Sequence, residues 1–519
     1  MTTEAPPPAD APRAEGLRRV AIDPLSRVEG HGKVTLLLDD ANRVRQARLH
    51  IVEFRGFEAF IEGRPYWEVP VMVQRLCGIC PVSHQLAAVK AIEAALGITP
   101  DVPPVAQAMR RLLHHAQVMQ SHALHFFHLA SPDLLFGPEA EPSRRHILAV
   151  AAAHPQVARE GVALRRFGQQ VVEAVSGKRI HGTGAVPGGV NRRLDADVRR
   201  ALRAEWPAMR DSAERALALL EALHDGAPDL FDGLGYAGRD DAGWMTLVAP
   251  DGTLDLYDGG LRVTDAEGCI RHDQVPVDRY AELIAEEVQP WTYMKFPYLR
   301  TLGPTAGWYR VGPLARVQAA DCLGTPRAEA ARRRMLDRLG GAPVQAPLAY
   351  HAARLVELLH ACERVGEGLD DPRLDDLGPL AVPMPRPTAG QRREGTGVIE
   401  APRGTLIHHY RLDDDDRVAA CNLIVSTTHN NRAMNEAVRA AADQVFDGRA
   451  LTEAMLNRVE VAIRAYDPCL SCATHALGTM PLVVELRDRQ GLRDRVVRHG
   501  DGRFERGDGD GDGDGVVVA

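Results

Sequence analysis

The sequence predicts an α+β fold, predominantly helical, in which one large body carries a small β region near its N-terminus. Three observations lead there. The 519 residues are 45% hydrophobic and 25% charged, ordinary globular usage with enough apolar content for a large core. Paired β-prone runs occur near the N-terminus, and helical periodicity dominates from residue 81 onward. Two cysteine pairs, near opposite ends of the chain, point to one site that the whole fold must assemble.

Residues 1–16 are rich in Pro, Ala and acids without periodicity and read as a disordered tail. Two β-prone runs around Asp39, Asp40 and Asn42, within residues 33–54, give a hairpin signal. Pro81 suits the first helical position and Gly97 the end of a helix with Leu86, Val89, Ile92 and Leu96 on one face, which puts Cys77 and Cys80 at its N-terminus. From Pro104 to about Ala130, steps of four and three through Leu112, Ala116, Met119, Ala123, Phe126 and Ala130 predict a second long helix. Its His115, His122, His125 and His128 suggest a metal or haem site, but packing around a buried helix is the favoured reading.

Further helices are expected at 145–175, 194–224, 326–339, 347–366, 430–446 and 451–466, and a Pro- and Gly-rich loop at 382–398. No internal repeat is visible. The chain closes with a strand-like MPLVVELRD and then GDGDGDGDG, which lacks the closing Glu of a calcium loop and reads as a solvated low-complexity tail.

Lys plus Arg number 62 against 70 Asp plus Glu, a net charge of −8, with neither sign gathered in one half. This argues against a nucleic-acid groove or a polybasic membrane anchor and points to small-molecule or protein partners. No apolar run approaches a membrane span, and the first residues have neither a charged n-region nor an apolar h-region, so a cytoplasmic location is expected.

Four of the eight cysteines form two CxxC pairs, Cys77/Cys80 in RLCGIC and Cys469/Cys472 in DPCLSCATH, each trailed by a histidine, His84 or His475. One CxxC reads as a redox pair; two suggest four thiolates converging on metal. A structural zinc site is the bland alternative, but ribbon-type sites keep their pairs ~15–20 residues apart. Here 388 residues separate Cys80 from Cys469, which favours a catalytic centre. A helix N-terminus lowers thiol pKa at the first pair, and Asp467 before Pro468 ends a helix just ahead of the second. Thiolates select nickel, zinc, copper(I) or iron, and spacing alone does not choose among them.

The sequence resembles the large, catalytic subunit of nickel–iron hydrogenases. The resemblance rests on RVEGHG (27–32), FRGFE (54–58), RLCGICPVSH (75–84), QSHALHFFHLASPD (120–133), HGTGAVPGGV (181–190), YRVGPLARV (309–317), EAPRGTLIHHY (400–410), NLIVSTTHNN (422–431) and DPCLSCATH (467–475), together spanning about residues 18 to 475. It implies a nickel–iron hydrogenase large-subunit-like fold over residues 17–475, and reversible cleavage of H2 to protons and electrons.

By the same resemblance, Cys77 and Cys469 match terminal nickel ligands, while Cys80 and Cys472 match ligands that bridge nickel to an iron carrying carbonyl and cyanide. Glu58, His475 and the backbone carbonyl of Leu423 match a site for Mg2+ or another hard divalent cation. Arg403 and Thr427 match residues that touch the iron's diatomic ligands, and Glu29 matches a proton-relaying carboxylate. Heterolytic cleavage needs a Lewis-acid metal pair and a nearby base, which makes Cys469 the first proton acceptor and Glu29 the next. Arg403, with its high pKa, is given positioning and electrostatic work, and Asp467 is expected to pair with it or to cap the turn at Cys469.

Ser121 stands where membrane-linked and periplasmic relatives often carry an acid, and Ser426 where many have Pro; both suit the cytoplasmic, bidirectional branch linked to NAD(P) or a soluble carrier. No nucleotide fingerprint or further cysteine cluster is present, so the resemblance implies partners that carry the electrons: an iron–sulfur small subunit, with NAD(P)-reducing or other electron-transfer subunits. It also implies a maturation protease and nickel chaperones, with residues 476–519 a C-terminal extension cut away after His475. The rivals are a hydrogen-sensing regulatory protein, a structural metal protein, and a non-catalytic descendant such as the quinone-site subunit of respiratory complex I. The last lacks the four ligand cysteines, and the extension favours an enzyme over a sensor.

Overall fold

In the computed structural model, residues 17–53, 56–236, 238, 242–385, 393–446, 448 and 452–474 are described, together with the backbone of four strands between 482 and 518. The N-terminal β region is an antiparallel sheet of β1 (Arg18–Ile22), β2 (Gly32–Leu38) and β3 (Val44–Ile51), in that order. β2 and β3 are the expected hairpin. Asp39 closes its turn by accepting the backbone N–H of Ala41 and of Arg43, each at 2.9 Å, and Asn42 takes the left-handed conformation such a turn demands.

Helices α1 (Pro81–Leu96) and α2 (Pro104–Leu124) follow, α1 opening on Pro81 and closing on left-handed Gly97 as its sequence predicts. The expected helix to Ala130 changes pitch at His125–Ala130, a π turn leading into Ser131–Phe136. Pro132 has no N–H for the regular ladder, and Ser131 Oγ donates instead to the Phe127 carbonyl at 2.7 Å. The helix expected at 145–175 is broken for the same reason. A short piece, Ile147–Ala153, ends before Pro155, which starts α3 (Pro155–Ser176).

α4 (Ala196–Gly226) is capped by the Asp195 carboxylate, and α5 (Pro326–Arg338), α6 (Ala349–Leu369), α7 (Asn431–Val445) and α8 (Glu453–Ala465) fall where periodicity placed them. The structure adds β content beyond the N-terminal region. β4 (Gly243–Val248), β5 (Gly260–Thr264) and β6 (Ile270–Val275) form one antiparallel sheet, and Tyr309–Arg310 pairs with β4 in parallel. β7 (Arg393–Ala401), β8 (Gly404–Leu412) and β9 (Val418–Ile424) form another.

β7 corrects the loop expected at 382–398. Gly395 and Gly397 are strand residues pressed on α1, where a Cβ would stand 2.2 Å from the Ala91 carbonyl and 2.1 Å from the Ala87 carbonyl. Their glycines serve close approach rather than a turn. The strand-like MPLVVELRD is a strand at Leu482–Asp488, paired with Gly491–Arg498; Phe504–Asp508 and Val516–Val518 extend that sheet into the Gly-Asp tail. Residues 1–16 lie outside the described residues.

The cysteine pairs sit inside the main apolar cluster with side chains of α1, α2, α6 and α8. A buried ion network crosses this core. Arg316 donates to both oxygens of Glu357 at 2.5 Å and to Glu400 at 2.8 Å, and His122 meets Glu357 at 2.7 Å. Burial pushes the Glu357 carboxyl up, but the Arg316 charge and the His122 and Arg316 hydrogen bonds outweigh it and hold it at about 2. Its folded pKa lies below the ordinary 4.5, so its stabilising share is full above pH 4.5 and lost as pH falls toward 2. Glu357→Ala, which leaves the buried Arg316 with Glu400 as its one remaining carboxylate and takes the partner from His122, should destabilise the fold by roughly 3–5 kcal/mol. Thermal denaturation checks this; an unchanged midpoint would refute it.

Candidate metal centre

The first cysteine pair is set by a short helix, Val73–Leu76, that delivers Cys77 in extended backbone, after which Cys80 begins α1. The Ile79 and Cys80 N–H groups point at Cys77 Sγ from 3.1 and 3.3 Å, a polar cradle for a thiolate. The second pair follows α8. Its last residue is Ala465, and Asp467 ahead of Pro468 turns the chain through a left-handed φ of 53°, which an Asp tolerates.

The two turns bring all four sulfurs within 4.8 Å of one another, every one buried. Cys77 Sγ lies 3.3 Å from Cys469 Sγ, Cys80 Sγ 3.9 Å from Cys472 Sγ, and Cys469 Sγ 2.7 Å from Cys472 Sγ. The last distance exceeds the ~2.05 Å of a disulfide. The neighbouring thiols and His84 hold Cys80 well below the ordinary thiol range, whereas burial, foremost, pushes Cys469 and Cys472 well above it. Four sulfurs this close and this dry cannot all be thiolates without a cation among them. The donor set therefore fits soft or borderline metal, nickel and iron included.

Glu29 reaches this cluster from the segment between β1 and β2. Its backbone carbonyl accepts the Leu470 N–H at 2.9 Å, and Glu29 and Cys469 form an isolated parallel bridge. Cys469 Sγ donates to Glu29 Oε2 at 3.0 Å, the Ser471 N–H donates to the same oxygen at 3.2 Å, and the Ser471 hydroxyl donates to Oε1. The next residue must be glycine: at Gly30, φ is +83° and a Cβ would lie 2.6 Å from the Ser471 nitrogen.

Arg403 occupies the tight turn between β7 and β8. Its Nε donates to the Asp467 carbonyl at 2.7 Å and Nη2 to Asp467 Oδ1 at 3.0 Å, so Asp467 pairs with Arg403 as the sequence suggested. Burial opposes the guanidinium charge, yet Asp467 and the thiols outweigh it and raise Arg403 well above its ordinary range. Thr427 Oγ1 accepts the Cys469 N–H at 3.0 Å from the short helix after β9. A small cavity adjoins Cys80, Cys469 and Cys472, walled by His84, Pro402, Arg403, Val425, Ser426 and Thr427.

Glu58 Oε1 accepts the Leu423 N–H at 2.9 Å, and burial pushes its carboxyl up. Glu58 and Leu423 are thus together, while His475 lies outside the described residues. Ser121 Oγ is 3.5 Å from Arg403 Nη1, and Ser426 Oγ donates to the Gly404 carbonyl at 2.8 Å. Of the four histidines singled out on the second long helical stretch, His122 meets Glu357, His125 meets the Arg464 carbonyl at 2.7 Å, His115 packs edge-on to His360, and His128 is half-buried. Among the described residues the only group of three or more potential ligands is the four-cysteine cluster, which supports the packing reading.

Two contributors escaped the sequence reading. Ser471, between the cysteines, clamps Glu29, and its place within CLSC was a usable signal. Arg354 of α6, fully buried with Nε 4.0 Å from Asp467 Oδ2, gave none.

Comparison with known proteins agrees with this geometry. A family model described as nickel-dependent hydrogenase matches residues 55–141 and 273–475, and one described as HoxL-like matches 19–54. The chain is 44% identical to the NAD-reducing hydrogenase HoxS subunit beta of Cupriavidus necator, over 91% of this chain and 98% of that one. It is 38% identical to a subunit of the F420-non-reducing hydrogenase of Methanothermobacter marburgensis, over 91% and 98%. The crystal structure of an NAD+-reducing NiFe-hydrogenase in the H2-reduced state superposes with a TM-score of 0.83 at 55% identity, covering 88% of this chain and 99% of that one. The Ni-Fe-Se hydrogenase of Desulfovibrio vulgaris Hildenborough shares the fold, with a TM-score of 0.70 at 23% identity over 89% and 100%.

Proposed function

Because this chain belongs to the nickel-dependent hydrogenase family and is the catalytic large subunit of such an enzyme, we propose that Cys77, Cys80, Cys469 and Cys472 hold a nickel–iron centre and that Cys469 and Glu29 carry the proton of heterolytic H2 cleavage. The observation that carries this reading is the 3.0 Å contact from Cys469 Sγ to Glu29 Oε2 at the edge of a four-sulfur cluster. Cys77 and Cys469 would hold nickel, and Cys80 and Cys472 would hold nickel and iron together. When bound, the metal pair supplies the Lewis acidity and redox capacity that cleavage of H2 requires.

The remaining work belongs to the chain. Cys469 Sγ accepts the proton and passes it to Glu29 Oε2, which the Ser471 N–H and hydroxyl hold in place. Thr427 fixes the backbone of Cys469. Arg403, locked by Asp467, keeps its proton and presents fixed positive charge to the cavity beside the sulfurs, where it would face carbonyl and cyanide carried by a bound iron, with Thr427 and Ser426 on the same wall. Glu58, the Leu423 carbonyl and His475 would hold Mg2+ or another hard divalent cation; a buried carboxylate whose charged form burial disfavours suits that role.

Electrons leave through other subunits, since the described residues offer no second metal-ligand cluster. The partner is an iron–sulfur small subunit, with NAD(P)-reducing or other electron-transfer subunits beyond it, as the name of the Cupriavidus necator relative suggests. Phe60, Trp67 and Val71, on the segment leading to Cys77, are exposed apolar side chains available to such a partner. No helix of the described residues is long and apolar enough to cross a membrane, and a cytoplasmic site of action fits the sequence. Residues 476–519 form an extension that a maturation protease removes after His475 once nickel chaperones have loaded the site.

Metal analysis joined to intact mass, on the complex purified from its own host, tests this reading. One nickel per copy of this chain, iron in excess of nickel because the iron–sulfur partner brings its own, a chain ending at His475 and H2-dependent dye reduction are expected. Zinc without nickel in an H2-inactive protein would refute the centre; active, nickel-loaded protein still reaching Ala519 would refute the processing.

A further inference from the structure

A second cavity, apart from the cysteine cluster, contains charge that the protein does not balance. Its walls include Tyr236, Trp308, Arg310, Arg432, Glu436 and Tyr466. Arg310 is only 5% exposed. Its Nη1 donates to the Gln345 carbonyl at 2.7 Å, its guanidinium lies 5.1 Å from the Trp244 ring centre and 5.9 Å from that of Trp308, and its Nε–H has no partner. Among the described residues no carboxylate is paired with it. The Tyr466 hydroxyl, on a side chain as deeply buried, also lacks a partner. Glu436, the acid of this wall, is engaged by Arg432 at 2.9 Å.

The wall thus carries two guanidinium groups and one carboxylate. Water satisfies an N–H or an O–H, but it does not neutralise a guanidinium withdrawn from bulk solvent, and buried charges are ordinarily paired. Contact with the two indole rings offsets part of this cost and leaves the charge without a counter-ion. We propose that this cavity binds a small oxyanion, a carboxylate or inorganic phosphate, against the wall that Arg310, Arg432 and Tyr466 share, with Trp308 along one side.

A guanidinium and a phenol are both oxyanion donors by type, and the cationic excess of the wall disfavours a metal ion there. The site stands independently of the metal centre but connects to it by covalent structure. Tyr466 is bonded to Asp467, whose carbonyl receives Arg403 Nε, so an anion seated on Tyr466 bears on the turn that carries Cys469.

Equilibrium dialysis of the holoenzyme complex against labelled inorganic phosphate and, separately, labelled acetate tests the proposal, with chloride holding ionic strength constant. Saturable binding of one anion is expected, weakened roughly tenfold or more in Arg310→Gln and less in Tyr466→Phe, as for loss of one hydrogen bond to a charged group. Binding of phosphate alone supports an inorganic ligand, and binding of acetate supports a carboxylate. Arg310→Lys, which keeps the charge and guards against a folding defect, should retain part of the affinity. No saturable binding of either anion, or undiminished binding in both Arg310→Gln and Tyr466→Phe, overturns the proposal and leaves the cavity to water.

Discussion

Replacing Cys469 with serine should abolish H2-dependent dye reduction and strip nickel from the protein while leaving the fold intact. Loss of the first proton acceptor alone costs roughly 10²–10⁴ in rate. The same change removes a soft ligand whose sulfur lies 3.3 Å from Cys77 Sγ and 2.7 Å from Cys472 Sγ, and a serine hydroxyl stays protonated where a thiol would ionise on metal. The combined loss should exceed the upper end of that range. Serine is nearly isosteric, so circular dichroism and co-purification with partner subunits should match the wild type. Cys269→Ser, at an exposed cysteine outside the cluster, serves as control. A Cys469→Ser enzyme that kept its nickel and turned over at the wild-type rate would remove this residue from the mechanism.

Glu29→Gln should separate proton delivery from metal binding. Glutamine keeps the shape of the side chain and is able to accept the Ser471 N–H, so nickel content and stability should stay close to wild type. It cannot take a proton from Cys469 and pass it on. Turnover should fall by roughly 10²–10⁴, and exchange of D2 with solvent protons should fall with it. Glu29→Asp retains the acid on a shorter arm and should restore part of both. Unchanged exchange in Glu29→Gln would assign the relay to another group, while parallel loss of nickel would show that Glu29 holds the turn rather than the proton.

The parts of the molecule that were legible in sequence are those whose cause is local. CxxC spacing declares a ligand pair, and Pro81 with Gly97 declares both ends of α1, because caps and ligand bites are fixed within a few residues. Sheet content was harder to read. β4, GWMTLV, is buried along its whole length and shows no alternation, while β6, IRHDQV, is mostly exposed and polar. β7 was hidden because Gly395 and Gly397, which read as turn formers, are there to let α1 approach. Arg354 was invisible for a different reason: its role exists only where α6 meets the turn after α8, and no window of sequence contains both. The family motifs brought Glu29, Arg403 and Thr427 into view, and the structure sets all three around the sulfurs.

The sulfurs that face each other across this centre lie 392 positions apart along the chain. At a synthesis rate of roughly 5–20 residues per second, the second pair is made roughly 20–80 s after the first. Throughout that interval the nascent polypeptide holds half a coordination shell, two thiols able to be oxidised or to pick up zinc. An ion captured then has two sulfurs and can exchange; one present when the last turn folds has four and is trapped. The choice of metal is therefore a matter of timing as well as affinity, because the residues that shut the site are among the last of the folded body to be translated.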